Sequence, residues 1–370
     1  MVARPLAEST RVKKVRYAVI GAGWISQEAF LPAVEQTGNS EVAAIVSGNL
    51  AKAKQLAAFY GIKDVYSYEQ FDTMARSGAV DAVYIATPNS SHARYADRAA
   101  KHRLHILVEK PLATSAAEAE SMVAAANEAG VYLVTAYRLH NDPGTIKVME
   151  MIRDGAIGDP RYFWSGFCFQ AAPGNHRLRK DHWGGPLQDL GVYCVNAARH
   201  VFADEPIEVH ALSGNDSNDA RFAEVDAGIS ATMRFEGGRI ASFYAGFATE
   251  ATDVFQVLGT RGSLEFQHAY LFDTSRTILL KRGTTVDRID VPQTDNFSGM
   301  IAYFSDNILE GTRPLVDSSE GLADMRALLS IVDASVRGVP ARLTSRRPFT
   351  PLQPSMLRSF PPASRKLLLP

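Results

Sequence analysis

Asp189 and Tyr193 stand four positions apart in the otherwise apolar run GGPLQDLGVYCVNAARH, residues 184–200. If the run is helical from Leu187, that spacing stacks a carboxylate against a phenol on one face. A carboxylate can accept hydrogen bonds from whatever donors face it. A phenol, with an ordinary pKa near 10, becomes a useful base only when a neighbour stabilises its anion. Lys110, at the end of the apolar run HILVEK, carries a charge that must reach solvent or meet a partner. An ammonium beside the phenol would supply the stabilisation, and the three groups together could take a proton from an alcohol. A structural reading stands beside this one, with Tyr193 a half-buried aromatic whose hydroxyl is satisfied and Asp189 a helix N-cap. Residue type alone leaves both open.

Such residues act only where elements bring them together. From residue 15 to about 137, short runs (VRYAVIG, EVAAIVS, DAVYIAT, HILVEK, VYLVTAY) rotate with helical stretches such as LAKAKQLAAFYG and TSAAEAESMVAAANEAG. This rotation predicts βαβ units and a parallel sheet with helices on both faces. A helix in NDPGTIKVMEMIRDGAIGDP, closed by Gly155 or Gly158, ends the pattern. Between 161 and 295, GISATMRF-EGG-RIASFYAGFA and DVFQVLG-TRG-SLEFQHAY read as consecutive antiparallel hairpins. Two helices, about 298–311 and 318–337, follow and pack against one of the two domains. From Arg346 the last 25 residues hold six prolines, which predicts an extended tail lying on a neighbour. The fold class is therefore α/β: a Rossmann-type doubly wound domain over 1–140, an α+β domain with a mainly antiparallel sheet over 141–345, and a proline-rich tail over 346–370.

The first strand runs into GAGWIS, so Gly21 allows a tight turn and Gly23 a close backbone approach to a pyrophosphate at a helix N-terminus. Ser26 replaces the third glycine and is small enough to keep helix and strand close. A dinucleotide is the expected ligand, with Trp24 and Ile25 completing the turn. After the second strand an acidic residue would hold the ribose of NAD. This chain has VSGNLAK instead: Ser47, Gly48 and Asn49 are neutral, and Lys52 is close enough to meet a 2′-phosphate, which favours NADP over NAD. Lys52 could equally be a solvated helix lysine. Thr87, Pro88, Asn89 and His92 follow the fourth strand, and Glu109 and Lys110 the fifth, at the carboxyl edge where such folds bind ligands. His92 stands equally well as an ordinary first-turn residue. Arg138 and His140 follow the sixth strand and should hang over the same cleft, with a salt bridge or helix cap as the alternative. His176, His182 and Trp183 are further candidates for the substrate entrance.

Composition narrows the function classes. A length of 370 residues suits two cores at roughly 150 residues each. The hydrophobic and charged fractions, 46% and 21%, are those of an ordinary globular chain. A net charge of −1 gives no field for nucleic acid or an anionic membrane, which leaves small-molecule work. Cys168 and Cys194 are too few for a disulfide framework or a metal site and read as buried thiols. No metal is expected. No apolar run approaches the ~18 residues of a membrane span, and the N-terminus has no export-signal pattern, so the cytoplasm is the expected compartment.

In combination, GAGWIS, VSGNLAKAK, EKPLATS, AYRLHNDP, RLRKD and DLGVYCVN resemble the glucose–fructose oxidoreductase, inositol dehydrogenase and MocA (Gfo/Idh/MocA) family over about residues 15–340. Within it they are most similar to the glucose–fructose and aldose–aldose oxidoreductase branch. The resemblance implies an open-faced C-terminal sheet that mediates homodimers or higher homo-oligomers, a tightly held NADP, and sugar substrates. It implies that Lys110, Asp189 and Tyr193 are catalytic, with Asp189 orienting the sugar and Tyr193 transferring the proton. It also implies that Ser47 and Lys52 contact the 2′-phosphate and that Arg138 and Arg177 line the nicotinamide end. Many relatives have histidine where Tyr193 stands, and tyrosine points to the sugar-oxidoreductase branch. The glycine run before the aspartate, usually three long, is here Gly184, Gly185 and Pro186, so the backbone near the sugar should differ. The implied reaction is oxidation of an aldose at C1 to its lactone, with possible return of the hydride to a second sugar. The alternatives are a simple NADP-dependent aldose or dihydrodiol dehydrogenase, and a non-catalytic NADP sensor.

Overall fold

A computed structural model of the chain describes residues 13–215, 218–343 and 348–370. The N-terminal stretch considered for export, residues 1–12, and the first two tail residues lie outside these. Six strands, β1 Val15–Ile20, β2 Ser40–Val46, β3 Asp64–Tyr66, β4 Ala82–Ile85, β5 His105–Val108 and β6 Leu133–Thr135, form a parallel sheet ordered β3-β2-β1-β4-β5-β6. β1, β4 and β5 are almost entirely buried because helices cover both faces. Those helices are α1 Leu31–Gln36, α2 Leu50–Tyr60, α3 Phe71–Ala75, α4 His92–Lys101 and α5 Ala116–Ala129. The strand order reverses between β1 and β4, and that reversal opens the crevice in which doubly wound folds bind ligands. Local chemistry sets the boundaries: Asn49 and Ser115 cap α2 and α5, and Gly61 and Gly130 close them in the left-handed conformation.

Helix α6, Pro143–Arg153, leads out of this domain. Its N-cap is Asp142, whose carboxylate accepts from the Thr145 N–H at 2.7 Å. It ends at Arg153, and Gly155 and Gly158 carry the turns beyond it rather than closing it. The second sheet comprises β7 Pro160–Gln170, β8 Glu208–Gly214, β9 Gly228–Arg234, β10 Ile240–Gly246, β11 Ala248–Gly259, β12 Ser263–Gln267, β13 Arg276–Arg282, β14 Thr285–Val291 and β15 Ala341–Arg342. Its order is β14-β13-β12-β11-β7-β10-β9-β8-β15. Both expected hairpins form, β9 with β10 and β11 with β12. The one parallel pair described in this sheet, β7 with β10, arises because the chain crosses the end of β7 between β10 and β11.

Helix α7, Val192–Phe202, packs on the inner face of this sheet. Helix α8, Asn296–Glu310, packs on the first domain, where Phe297, Met300, Ile301 and Phe304 join the core under β1. Helix α9, Ser318–Arg337, lies against α5, α7 and β8 and so touches both domains. The tail from residue 348 runs along its own chain. Leu352 and Met356 are buried, and their carbonyls accept from Arg153 and Asn141, so the prolines cost no unsatisfied backbone groups here. Both cysteines are buried free thiols. Among the described residues no helix is long and apolar enough to cross a membrane.

Candidate functional site

The β1–α1 connection is tightly built. Gly21 has φ 104°, and a Cβ there would sit 2.6 Å from the Ala86 carbonyl oxygen at the end of β4, so only glycine fits. Ser26 bonds back to the Gly21 carbonyl at 2.7 Å and so does more than replace a small residue. At Gly23 a Cβ would meet nothing within 4 Å. This is open space at a helix N-terminus, the cradle a pyrophosphate requires. Ile25 is half-buried, while Trp24 is 49% exposed and reaches toward the second domain, 6.2 Å from Phe272 and 6.0 Å from the Arg177 guanidinium.

At the end of β2 no acidic side chain is present. Ser47 is buried and its hydroxyl oxygen accepts from the Asn49 N–H at 3.1 Å, which leaves its O–H free to donate. Asn49 uses its carbonyl oxygen to cap α2 and keeps its NH₂ group. Gly48 is exposed beside Tyr68, and half-exposed Lys52 forms no ion pair with a described residue. Neutral donors and one unpaired cation fit the 2′-phosphate of NADP and would offer the bare ribose of NAD no acceptor.

After β4, Thr87 carries a buried hydroxyl with no partner, an orphan at the carboxyl edge of the sheet. Pro88 is half-buried, and Asn89 donates across the cleft to the Trp183 carbonyl at 3.1 Å. His92 has another task than the cofactor contact considered for it. It is fully buried, with Nδ1 2.9 Å from the Pro111 carbonyl and Nε2 3.1 Å from the Thr87 carbonyl, so neither ring nitrogen is left for a ligand. The ring ties the end of β4 to the chain after β5, where the Lys110–Pro111 bond is cis.

Lys110 lies at the centre of the cleft. Its ammonium donates to the Asp189 carboxylate at 2.8 Å and to the Asp189 carbonyl at 2.9 Å, and it sits 4.9 Å from the centroid of the Tyr193 ring. Burial alone would lower its pKa, but Asp189 and Tyr193 outweigh that and raise it, so the ammonium stays charged. Burial would raise the pKa of Asp189, but Arg177 and Lys110 hold it well below the ordinary carboxylate range. The Arg177 Nε lies 2.7 Å from the second carboxylate oxygen, but its N–H is not aimed at that oxygen, so this is a charge contact rather than a hydrogen bond. Glu109 accepts from the Tyr84 hydroxyl at 2.6 Å, and burial raises its pKa against the pull of Lys110.

The Asp189 carboxylate is taken up by Lys110 and Arg177, and Lys110 in turn lies over the Tyr193 ring. Residues Leu187–Gly191 make a wide π turn before α7 begins, and the extra residue turns Asp189 toward Lys110 and Arg177. Tyr193 is buried among Tyr137, Phe167 and Tyr270, with the Arg138 guanidinium 5.3 Å from its ring. Arg138 is itself buried, donates to the Tyr270 carbonyl and keeps one Nη without a partner. Gly184 is needed because a Cβ there would lie 2.2 Å from the Arg177 carbonyl oxygen. Trp183, in the left-handed conformation at φ 55°, and Gln188 line a cavity of about 430 Å³ behind this turn. His176 and His182 face each other at 6.4 Å beside it.

His140 does not hang over the cleft. It is buried behind Tyr193, with Nε2 2.9 Å from Asn196 and its ring 5.0 Å from that of His200. Around it runs a network the motif reading missed: Arg199, with no exposed surface, pairs with Glu205, Glu320 and Asp324, and Asn196 donates to Glu320 and Asp324. The signal was the polar stripe Tyr193, Asn196, His200, spaced three and four along one face of α7.

Comparison with known proteins agrees with this construction. Residues 15–137 match the model of an oxidoreductase family with an NAD-binding Rossmann fold, GFO/IDH/MocA, and residues 145–265 match the GFO/IDH/MocA C-terminal domain. The chain is 32% identical over 338 residues to a D-xylose 1-dehydrogenase [NADP(+)] from Haloarcula marismortui, covering 89% of this chain and 93% of the relative. Aldose–aldose oxidoreductase from Caulobacter crescentus, solved with glycerol, superimposes with a TM-score of 0.85 at 32% identity, over 90% of this chain and all of that one. A 3-ketoreductase from Actinomadura kijaniata, solved with NADP and TDP-benzene, gives 0.81 at 28% identity, over 87% and 98% of the two chains.

Proposed function

Because the chain belongs to the GFO/IDH/MocA oxidoreductase family, whose two domains it carries in order, we propose that it is an NADP-dependent sugar oxidoreductase that oxidises an aldose at C1 to its lactone. The observation that carries the reading is Lys110, held 2.8 Å from Asp189 and 4.9 Å from the Tyr193 ring at the crevice between the domains. Bound NADP⁺ would supply the hydride acceptor. Gly21, Gly23 and Trp24 would meet its pyrophosphate side, Ser47, Asn49 and Lys52 its 2′-phosphate, and Arg138 and Arg177 its nicotinamide end.

The chain's own residues handle the proton. As hydride leaves C1, the O1 hydroxyl must lose H⁺, and Tyr193 would take that proton as the phenolate, the form that the Lys110 ammonium stabilises. The charges around it differ from those of a bare lysine beside a phenol, because Asp189 neutralises part of the ammonium. Asp189 therefore acts first by fixing Lys110 under the ring, and a sugar hydroxyl competes with Arg177 for its second oxygen. Positioning of this kind contributes several kcal/mol to a barrier, about as much as proton transfer itself. We place the protein in the cytoplasm, as a homo-oligomer joined through the open face of the second sheet.

The test is direct. Protein denatured after purification should release NADP(H), and added aldoses should change nicotinamide absorbance with lactone as product. A chain that carries no nucleotide and turns over no aldose with added NADP⁺ would overturn the proposal. A second reading, a dehydrogenase with exchangeable NADP⁺, is favoured by the likeness to D-xylose 1-dehydrogenase over 89% of the chain. It is supported if turnover needs added NADP⁺, whereas reduction by sugar alone supports a retained cofactor.

A further inference from the structure

The last residues of the chain end on the glycine-rich first turn. Phe349 packs edge-to-face with His200, 4.9 Å between ring centroids, and Leu352 and Met356 are buried in the core. From there the segment crosses to the first domain. Arg358 pairs with Asp306 of α8 at 2.7 Å, the Asp295 N–H donates to the Phe360 carbonyl at 3.0 Å, and Gln36 of α1 donates to the Pro361 carbonyl at 3.1 Å. Arg365 pairs with Glu35 and lies 4.3 Å over the Phe59 ring, Lys366 pairs with Glu28, and Leu367 and Leu369 pack on the core beneath β1.

The final anchor is the Leu369 N–H, which donates to Oε1 of Gln27 at 2.7 Å. Gln27 is 2% exposed, and its NH₂ group donates to the carbonyls of Ala22 at 3.1 Å and Gly23 at 3.3 Å. A trans peptide sets its C=O and N–H in opposite directions. Two carbonyls drawn inward to Gln27 therefore turn the N–H groups of Gly23 and Trp24 outward, on the side where Gly23 has open space. These are the donors that an anion at a helix N-terminus uses.

We propose that Gln27 is a positioning residue for the bound dinucleotide and that residues 348–370 are the strap that holds it, so that this segment sets how fast nucleotide leaves. The proposal rests on the reading that NADP lies against the first turn. Two variants test it, a chain ending at Ser364 and Gln27→Ala, each compared with the full chain. NADPH release is followed by its fluorescence, and hydrogen exchange over residues 21–30 is measured without nucleotide. Each hydrogen bond lost from a bound, oriented loop is worth roughly a factor of ten. We therefore expect both variants to release NADPH about ten-fold faster and to lose protection over 21–30. Release rates and exchange equal to those of the full chain would overturn the strap while leaving the nucleotide site intact. Failure of the full chain itself to bind NADPH would overturn the site and the strap together. If Gln27→Ala does not fold, the shortened chain decides, since it removes only exposed or half-buried residues.

Discussion

Tyr193 is walled in by aromatic rings, yet its hydroxyl neither bonds to a described residue nor lies sealed from solvent. That combination suits a group meant to exchange a proton with something that arrives. Tyr193→Phe keeps the ring packing and removes only the oxygen, so turnover should fall at least ~100-fold while NADP still binds. Steady-state rates beside nucleotide titration check this, and near-normal turnover would remove Tyr193 from its role. At the other end of the crevice, Ser47 is buried with its oxygen already accepting from Asn49. Ser47→Asp would put a carboxylate where the 2′-phosphate is proposed to sit, and like charges a few ångströms apart repel by at least ~1 kcal/mol even in water. The ratio of kcat/KM for NADP to that for NAD should drop by about ten-fold or more. An unchanged ratio would mean that the phosphate is held elsewhere.

Elements with a clean period were legible in the sequence. Five of the six parallel strands, the two hairpins and the helices near 298–311 and 318–337 follow from apolar runs, turn glycines and amphipathic spacing, whereas β3, three residues long and only half-buried, gave no such run. What was not legible depends on a partner distant in sequence. The π turn at 187–191 looks like ordinary helix until Lys110 and Arg177 are in place to draw Asp189 aside. His92 could not be assigned without the carbonyls of Thr87 and Pro111, nor His140 without Asn196 and His200. The network between α7 and α9 also governs a pH effect. Burial, with His200 second, lowers the His140 pKa to about 3. The unfolded chain takes up this proton near pH 6.5. Stability from the neutral ring is thus complete above about 6.5 and is lost as pH falls toward 3, by up to about 1.4 kcal/mol per unit. Asp324 acts in the opposite sense. Burial and Glu320 raise its pKa, so its contribution is present at low pH and is lost as pH rises through the folded value. The two slopes offset each other in mildly acidic solution. Asp324→Asn removes the offset, and its denaturation midpoint should fall more steeply than that of the parent between pH 7 and pH 5. Parallel midpoints would show that Asp324 holds no extra proton.

At the scale of the whole molecule, the two faces of the second sheet are unequal. The inner face, with Phe163, Phe243, Phe255 and Val257, is buried under α6, α7 and α9. On the outer face Tyr162, Trp164, Ile240, Tyr244 and Leu258 are cross-strand neighbours around β7, and among the described residues no helix packs on them. Trp164 is 40% exposed and Leu258 41%. Arg234 and Glu208 on one flank, and Lys281, Arg288 and Asp290 on the other, ring this apolar centre, the arrangement of a protein interface. With strands about 4.8 Å apart and about seven residues long, the nine-stranded sheet offers roughly 800–900 Å², which is what each partner of a stable dimer buries. A second copy of the same face would meet it with matching chemistry. If the chain associates through this face, Trp164→Arg puts an unpaired charge at the centre of the interface and should leave the variant monomeric at micromolar concentration, as read by light scattering. Lys110, Asp189 and Tyr193 all belong to one chain and face away from this sheet surface, so the monomer should still bind NADPH. A parent chain that is already monomeric, or a variant whose mass does not change, would mean that the open face serves some other contact.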